Sequence, residues 1–118
     1  AKILQKLADS GNELGQVRYA HCLKNGIGIE KDIEKAFHYY KLSADQGNSE
    51  AEFEYGRELF LKNSNEKEKE IGLSYIKKSA NKLNPNAIYL YGQIISETDP
   101  YSSAKFIEYA KEKISKFI

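Results

Sequence analysis

Residues 15–47 read GQVRYAHCLKNGIGIEKDIEKAFHYYKLSADQG, and this stretch decides the fold. From Gly15, the residues Tyr19, Ala20 and Leu23 fall at i+4, i+5 and i+8, one face of a helix. Gly26 and Gly28 then interrupt the pattern. Asp32 suits the cap of a second helix carrying Ile33, Ala36, Phe37, Tyr40 and Ala44, because its carboxylate can accept from free first-turn amides. Gly47 suits the left-handed residue that ends such a helix. The stretch predicts two helices joined by a tight loop.

Outward from it, the unit recurs. A shift of 36 residues aligns Ala8, Ala44 and Ala80, then Asn12, Asn48 and Asn84, then Gly15, Ala51 and Ala87. Tyr19, Tyr55 and Tyr91 share a column, followed by Ala20, Gly56 and Gly92, and by Leu23, Leu59 and Ile95. Val17, Phe53 and Tyr89 read as a further apolar column. The chain is therefore expected to be an all-α array, one repeat domain over 1–118. Residues 1–11 read as the end of a preceding unit, with units at 12–47, 48–83 and 84–118. The three Asn residues suit helix starts, Pro85 sits where its missing N–H costs nothing, and Gly11, like Gly47, suits a helix ending. In the second unit Asn65 and Glu68 have capping-box spacing, so that helix should start about a turn early. Asp99-Pro100 should open a last helix with Ser103, Ile107, Ala110, Ile114 and Phe117 on one stripe.

Small residues predict where helices cross. Ala20, Gly56 and Gly92 on the first helices, and Ala36, Gly72 and Ala104 on the second, leave room for close approach. A helical Gly costs up to about 1 kcal/mol relative to Ala, so a recurring one implies a compensating contact. No helix pair buries its own apolar face, and stability has to grow by stacking. Ile3 and Leu4 align with Tyr39 and Tyr40, so the chain reads as a slice of a longer array or larger protein. Its Ile3-Leu4-Leu7 edge is open to self-association.

Composition narrows function further. Lys and Arg number 18 against 17 Asp and Glu, too balanced for coating nucleic acid or anionic lipid. No apolar run reaches the length of a membrane span. One Cys excludes an internal disulfide framework and a thiolate-built zinc site. His21 and Cys22 are adjacent, and neighbours on a helix point about 100° apart, so they read as surface or packing residues rather than a nucleophile and base. Gly26-Ile27-Gly28 has neither the preceding strand nor the third Gly of a phosphate loop and reads as a turn. The alternating run Glu66 to Glu70 reads as a solvated helix start. The Tyr residues sit mostly at core spacing, with no basic stripe beside them for stacking bases. No cofactor, metal or catalytic centre is expected.

The stretch 15–47 also resembles the Sel1-like repeat. The matching residues are Ala20 at the family's Gly position, Gly26-Ile27-Gly28-Ile29 at its glycine loop, Asp32, Lys35-Ala36, Tyr39-Tyr40, Ala44 and Gly47. Gly15, Tyr19, Leu23 and Ser43 depart from the pattern. The second copy keeps Ala51, Tyr55-Gly56, Gly72, Tyr75 and Ser79-Ala80 but has Lys62-Asn63-Ser64-Asn65 in place of the glycine loop. The third keeps Ala87, Tyr91-Gly92 and Ala104. Tetratricopeptide repeats share the two-helix logic, but the 36-residue period and the glycine loop favour the Sel1-like pattern. The resemblance implies a right-handed α/α superhelix acting as a non-catalytic adaptor or scaffold, with a concave binding surface lined by the first helices. An alternative is a structural spacer within a larger enzyme, receptor or effector. Some secreted members carry a disulfide in every repeat. A lone Cys22 departs from them and favours a reducing compartment, the cytoplasm first, or one that tolerates a free thiol.

On a helical wheel the first-helix positions not used by the core are Arg18, His21, Cys22 and Asn25, then Glu54, Arg57 and Glu58, then Leu90, Gln93 and Ile94. Their chemistry varies between copies while the core columns hold. Arg18, His21, Glu54, Arg57, Glu58, Leu90 and Ile94 are therefore the candidate contacts for a protein or peptide partner. Glu54 is expected to be exposed, and charge reversals at Arg18, Glu54 and Arg57 to leave folding nearly unchanged.

Overall fold

The computed structural model describes residues 2–62, 65–98, 108 and 111–113. The helices run in chain order as α1 (Lys2–Asp9), α2 (Glu13–Asn25), α3 (Ile33–Asp45), α4 (Ser49–Lys62), α5 (Glu66–Asn81) and α6 (Pro85–Thr98). No strand occurs among the described residues. Each helix packs mainly on its neighbours in sequence, α1 on α2 through α5 on α6. The radius of gyration is 15.3 Å, above the roughly 13.5 Å of a compact domain of this length. That is the signature of a one-dimensional stack. The expected last-helix stripe from Ser103 to Phe117, with Ala104, lies outside the described residues.

Local chemistry explains the boundaries. Asn12, Asn48 and Asn84 accept from the amides of Gly15, Ala51 and Ala87, satisfying donors left open at the helix starts. Asp32 caps α3 through Lys35, and Asn65 caps α5 through Lys67, a turn early as expected. The ends of α1, α3 and α5 share one turn. The amides of Asn12, Asn48 and Asn84 donate to the carbonyls of Leu7, Ser43 and Ser79, five residues back. Gly11 and Gly47 hold that turn at φ 93° and 95°, but the third position is Leu83 at φ 64°. A leucine pays a steric penalty there. Its packing against Phe53, Ala80 and Ala87 offsets the cost, and no spacing rule signals that exchange.

The repeat columns form the core. Val17, Tyr19, Ala20 and Leu23 of α2 pack with Ala36, Tyr39, Tyr40 and Ala44 of α3 and with Ala51, Tyr55 and Leu59 of α4. Tyr89 departs from its predicted column. Val17 and Phe53 are buried, yet Tyr89 is 70% exposed. Phe53 is covered by Ala80, Ala87 and Ile88 from the helices that follow it, whereas nothing among the described residues covers Tyr89. At the other end Ile3 and Leu7 are exposed, while Leu4 packs against the core.

The crossings fall at the small residues. A Cβ on Gly56 would lie 2.7 Å from the Gly72 carbonyl oxygen, and one on Gly72 would lie 2.7 Å from the Gly56 oxygen. The two helices meet backbone to backbone there. In the preceding pair the same places hold Ala20 and Ala36, both buried.

Candidate protein-binding face

Polar pairs stitch the stack at a fixed offset. The Tyr39 hydroxyl donates to Asp9 at 2.7 Å and the Tyr75 hydroxyl to Asp45 at 2.5 Å, both across 30 residues. Ser43 and Ser79 donate to the carbonyls of Glu13 and Ser49 across the same interval. These contacts tie α3 to α1 and α2, and α5 to α3 and α4.

Long side chains join α2 and α4. His21 Nε2 lies 2.8 Å from Glu50 Oε1, and Lys24 Nζ donates to Glu54 at 3.0 Å. Arg57 donates to the same Glu54 oxygen at 2.8 Å and lies over the Phe53 ring at 5.1 Å. Behind them the buried Tyr40 hydroxyl is 2.7 Å from His21 Nδ1. Burial pushes the Tyr40 hydroxyl well above its usual range, and the Glu54 and Glu50 charges add to it. Tyr40 therefore keeps its proton and can donate it to His21 Nδ1, the tautomer that points an Nε2–H at the acceptor-only Glu50 carboxylate. With both ring nitrogens engaged and the adjacent Cys22 on another azimuth, this is a positioned surface residue.

The seven expected contacts are placed unevenly. Arg18 is exposed with no ion-pair partner among the described residues. His21 and Arg57 are half-buried, and Glu58 pairs with Lys62 at 2.7 Å. Glu54 is not the exposed residue expected. Its side chain is 13% exposed and held by two cations, because α2 stands close enough for Lys24 to reach over it. Charge reversal at Glu54 or Arg57 consequently disturbs folding as well as surface chemistry. Leu90 packs against the cluster of Phe53, Ala80, Ala87 and Ile88 rather than standing clear, and Ile94 is half-buried. Glu50, Lys24 and Tyr40 were not among the expected contacts. The signal that finds the first two is the interhelical offset: Lys24 and Glu54 are 30 apart, and His21 and Glu50 are 29.

The Sel1 repeat family model matches residues 14–48, the unit richest in the family's pattern. A protective antigen of uropathogenic Escherichia coli displaying an SLR fold is similar over 93% of this chain, at 28% identity and a TM-score of 0.81. The chain contains a Sel1 repeat. It spans 25% of the length of that antigen. A Sel1 repeat protein from Oxalobacter formigenes shares the fold at 21% identity and a TM-score of 0.80, over 95% of this chain and 88% of its own. No curated protein matches. Sel1 repeats typically serve as protein-interaction modules, and the fold is generally non-catalytic. Among the described residues no helix is long and apolar enough to cross a membrane.

Proposed function

We propose that the chain is an adaptor or scaffold module that binds a protein or peptide partner across its first helices, α2, α4 and α6. One observation carries this reading. α2 and α4 are joined by Lys24 and Glu54, and 36 residues on the sequence has Phe60 and Leu90 at the corresponding positions. A constant backbone with changing side-chain chemistry is how repeat arrays make a recognition surface. Arg18, His21 and Glu50 supply the polar end, and Leu90 and Ile94 the apolar end. The partner is an amphipathic peptide or helix, which would match both ends. Units at 12–47, 48–83 and 84–118 are part of the same proposal.

Arg18 and Gln93 are the clean probes, since both are exposed. Arg18→Glu and Gln93→Lys should weaken a protein partner in titration while leaving the melting temperature within its scatter. Normal binding by both variants would exclude the first-helix face.

A further inference from the structure

A cleft of about 420 Å³ opens between α3, α4 and α5. That volume is within the range of ligand-sized sites. Its floor is apolar: Ile33, Phe37, Tyr55 and Leu59. Ile33 is 42% exposed, and the Phe37 and Tyr55 rings lie 4.5 Å apart at 36°. A narrower hollow of about 50 Å³, lined by Ala36, Tyr40 and Glu54, continues it towards α2 and shares Ile33, Phe37, Glu58 and Lys62 with it.

The rim is acidic. Glu34, Glu58 and Glu68 face a single cation, Lys62, which is spent on Glu58 at 2.7 Å. Glu34 and Glu68 have no ion-pair partner among the described residues. Each sits in the first turn of its helix, where the helix dipole favours a negative charge. The Lys62 side chain is 66% exposed, so an incoming cation can displace it at little cost.

We propose that this cleft docks a basic, apolar-flanked segment of a partner protein, its Lys or Arg between Glu34 and Glu68 and its apolar residue on Ile33 and Phe37. The proposal rests on the protein-binding reading; the cleft shares Glu58 with the first-helix candidates, and Glu34 and Glu68 distinguish it from them. Charge complementarity selects the occupant. Two uncompensated carboxylates repel an acidic peptide or a phosphate backbone, and the aromatic faces below them attract a cation further. A basic segment without apolar flanks would leave Ile33 and Leu59 in water.

The test uses the whole chain and three labelled peptides: amphipathic Lys/Leu, its Glu/Leu counterpart and a Lys/Ser control. Fluorescence anisotropy should show the Lys/Leu peptide binding about tenfold more tightly than either control. Amide shifts in its NMR titration should centre on residues 33–37, 55–59 and 68. Glu34→Gln with Glu68→Gln should weaken it about tenfold and flatten its salt dependence, with unchanged circular dichroism. Equal binding of Lys/Ser, or no binding of Lys/Leu, would overturn the proposal. So would Lys/Leu binding that is lost in Arg18→Glu but kept in the double Gln variant, an outcome that leaves the first-helix reading intact.

Discussion

Lys82 closes on both oxygens of Glu52, at 2.9 and 2.8 Å, where one unit earlier Gln46 meets Gln16 at 2.8 Å. The Lys82 ammonium also donates to the Gly47 carbonyl, as the Gln46 amide donates to that of Gly11. One geometry is thus built once from neutral groups and once from ions. Glu52 is 2% exposed, so Lys82 takes the place of water as partner to its carboxylate. Lys82→Ala should cost about 2–3 kcal/mol, because it leaves a carboxylate buried without a partner. Glu52→Gln with Lys82→Gln should recover most of that loss by copying the earlier unit. Urea unfolding of the two single variants and the double reads the coupling. Strictly additive losses would mean the pair does not act as one.

The crossing of α4 and α5 should be intolerant of a single methyl. Gly56→Ala gains up to about 1 kcal/mol of helix propensity. That gain is outweighed by overpacking of about 1–3 kcal/mol, since the atoms it meets are the Gly72 carbonyl oxygen and the backbone and side chain of Ile76. Gly56→Ala with Gly72→Ala should cost less than the sum, because the first methyl already separates the helices. Stabilisation by either single variant would place the crossing elsewhere.

Tyr19 offers the opposite test. It is fully buried, packs edge-on against Tyr39 and has no hydrogen-bond partner for its hydroxyl. Tyr19→Phe should be neutral or stabilising by up to about 1 kcal/mol, whereas Tyr39→Phe, which removes the bond to Asp9, should lose about 1 kcal/mol. Thermal melts of the two variants compare them directly.

The tyrosine–aspartate latches make stability fall at both ends of the pH scale. Burial, then the bond to Asp9, pushes Tyr39 up to about 12, and burial with the bond to Asp45 raises Tyr75 further. The folded chain holds these protons more tightly than the unfolded one. Their contribution is complete below the ordinary tyrosine value of about 10 and is lost as pH rises above it. Burial pushes the Asp45 carboxyl up, but hydrogen bonds from Tyr75 and Lys41 and the charges of Lys41 and Lys78 outweigh it. Its folded value is lowered, so its contribution is present above the ordinary carboxylate range and lost as pH falls through it. Urea midpoints measured across both windows should drop at each end. Tyr75→Phe should flatten both slopes, and unchanged slopes would contradict the latch.

Much of the fold was legible because its units repeat in one chain. Asn caps, glycine turns and small crossing residues recur at 36, and local chemistry of this kind survives without tertiary information. What was missed depends on neighbours. Tyr89 has core spacing but no described cover, and Glu54 has surface spacing but lies beneath Lys24. Leu83 takes a left-handed position that only packing against Phe53 explains. Of the candidate face, Arg18 and His21 were readable from a helical wheel. Glu50 and Lys24 were not, since a single-helix projection carries no distance to the next helix.

Site-specific photo-crosslinking tests the central claim most directly. A photoreactive residue replaces Arg18, Glu50 or Gln93 on the first helices, or the exposed Lys41 or Lys77 on the second helices. Binding across α2, α4 and α6 requires partner adducts at 18, 50 and 93 and background levels at 41 and 77. Adducts confined to 41 and 77 would contradict it.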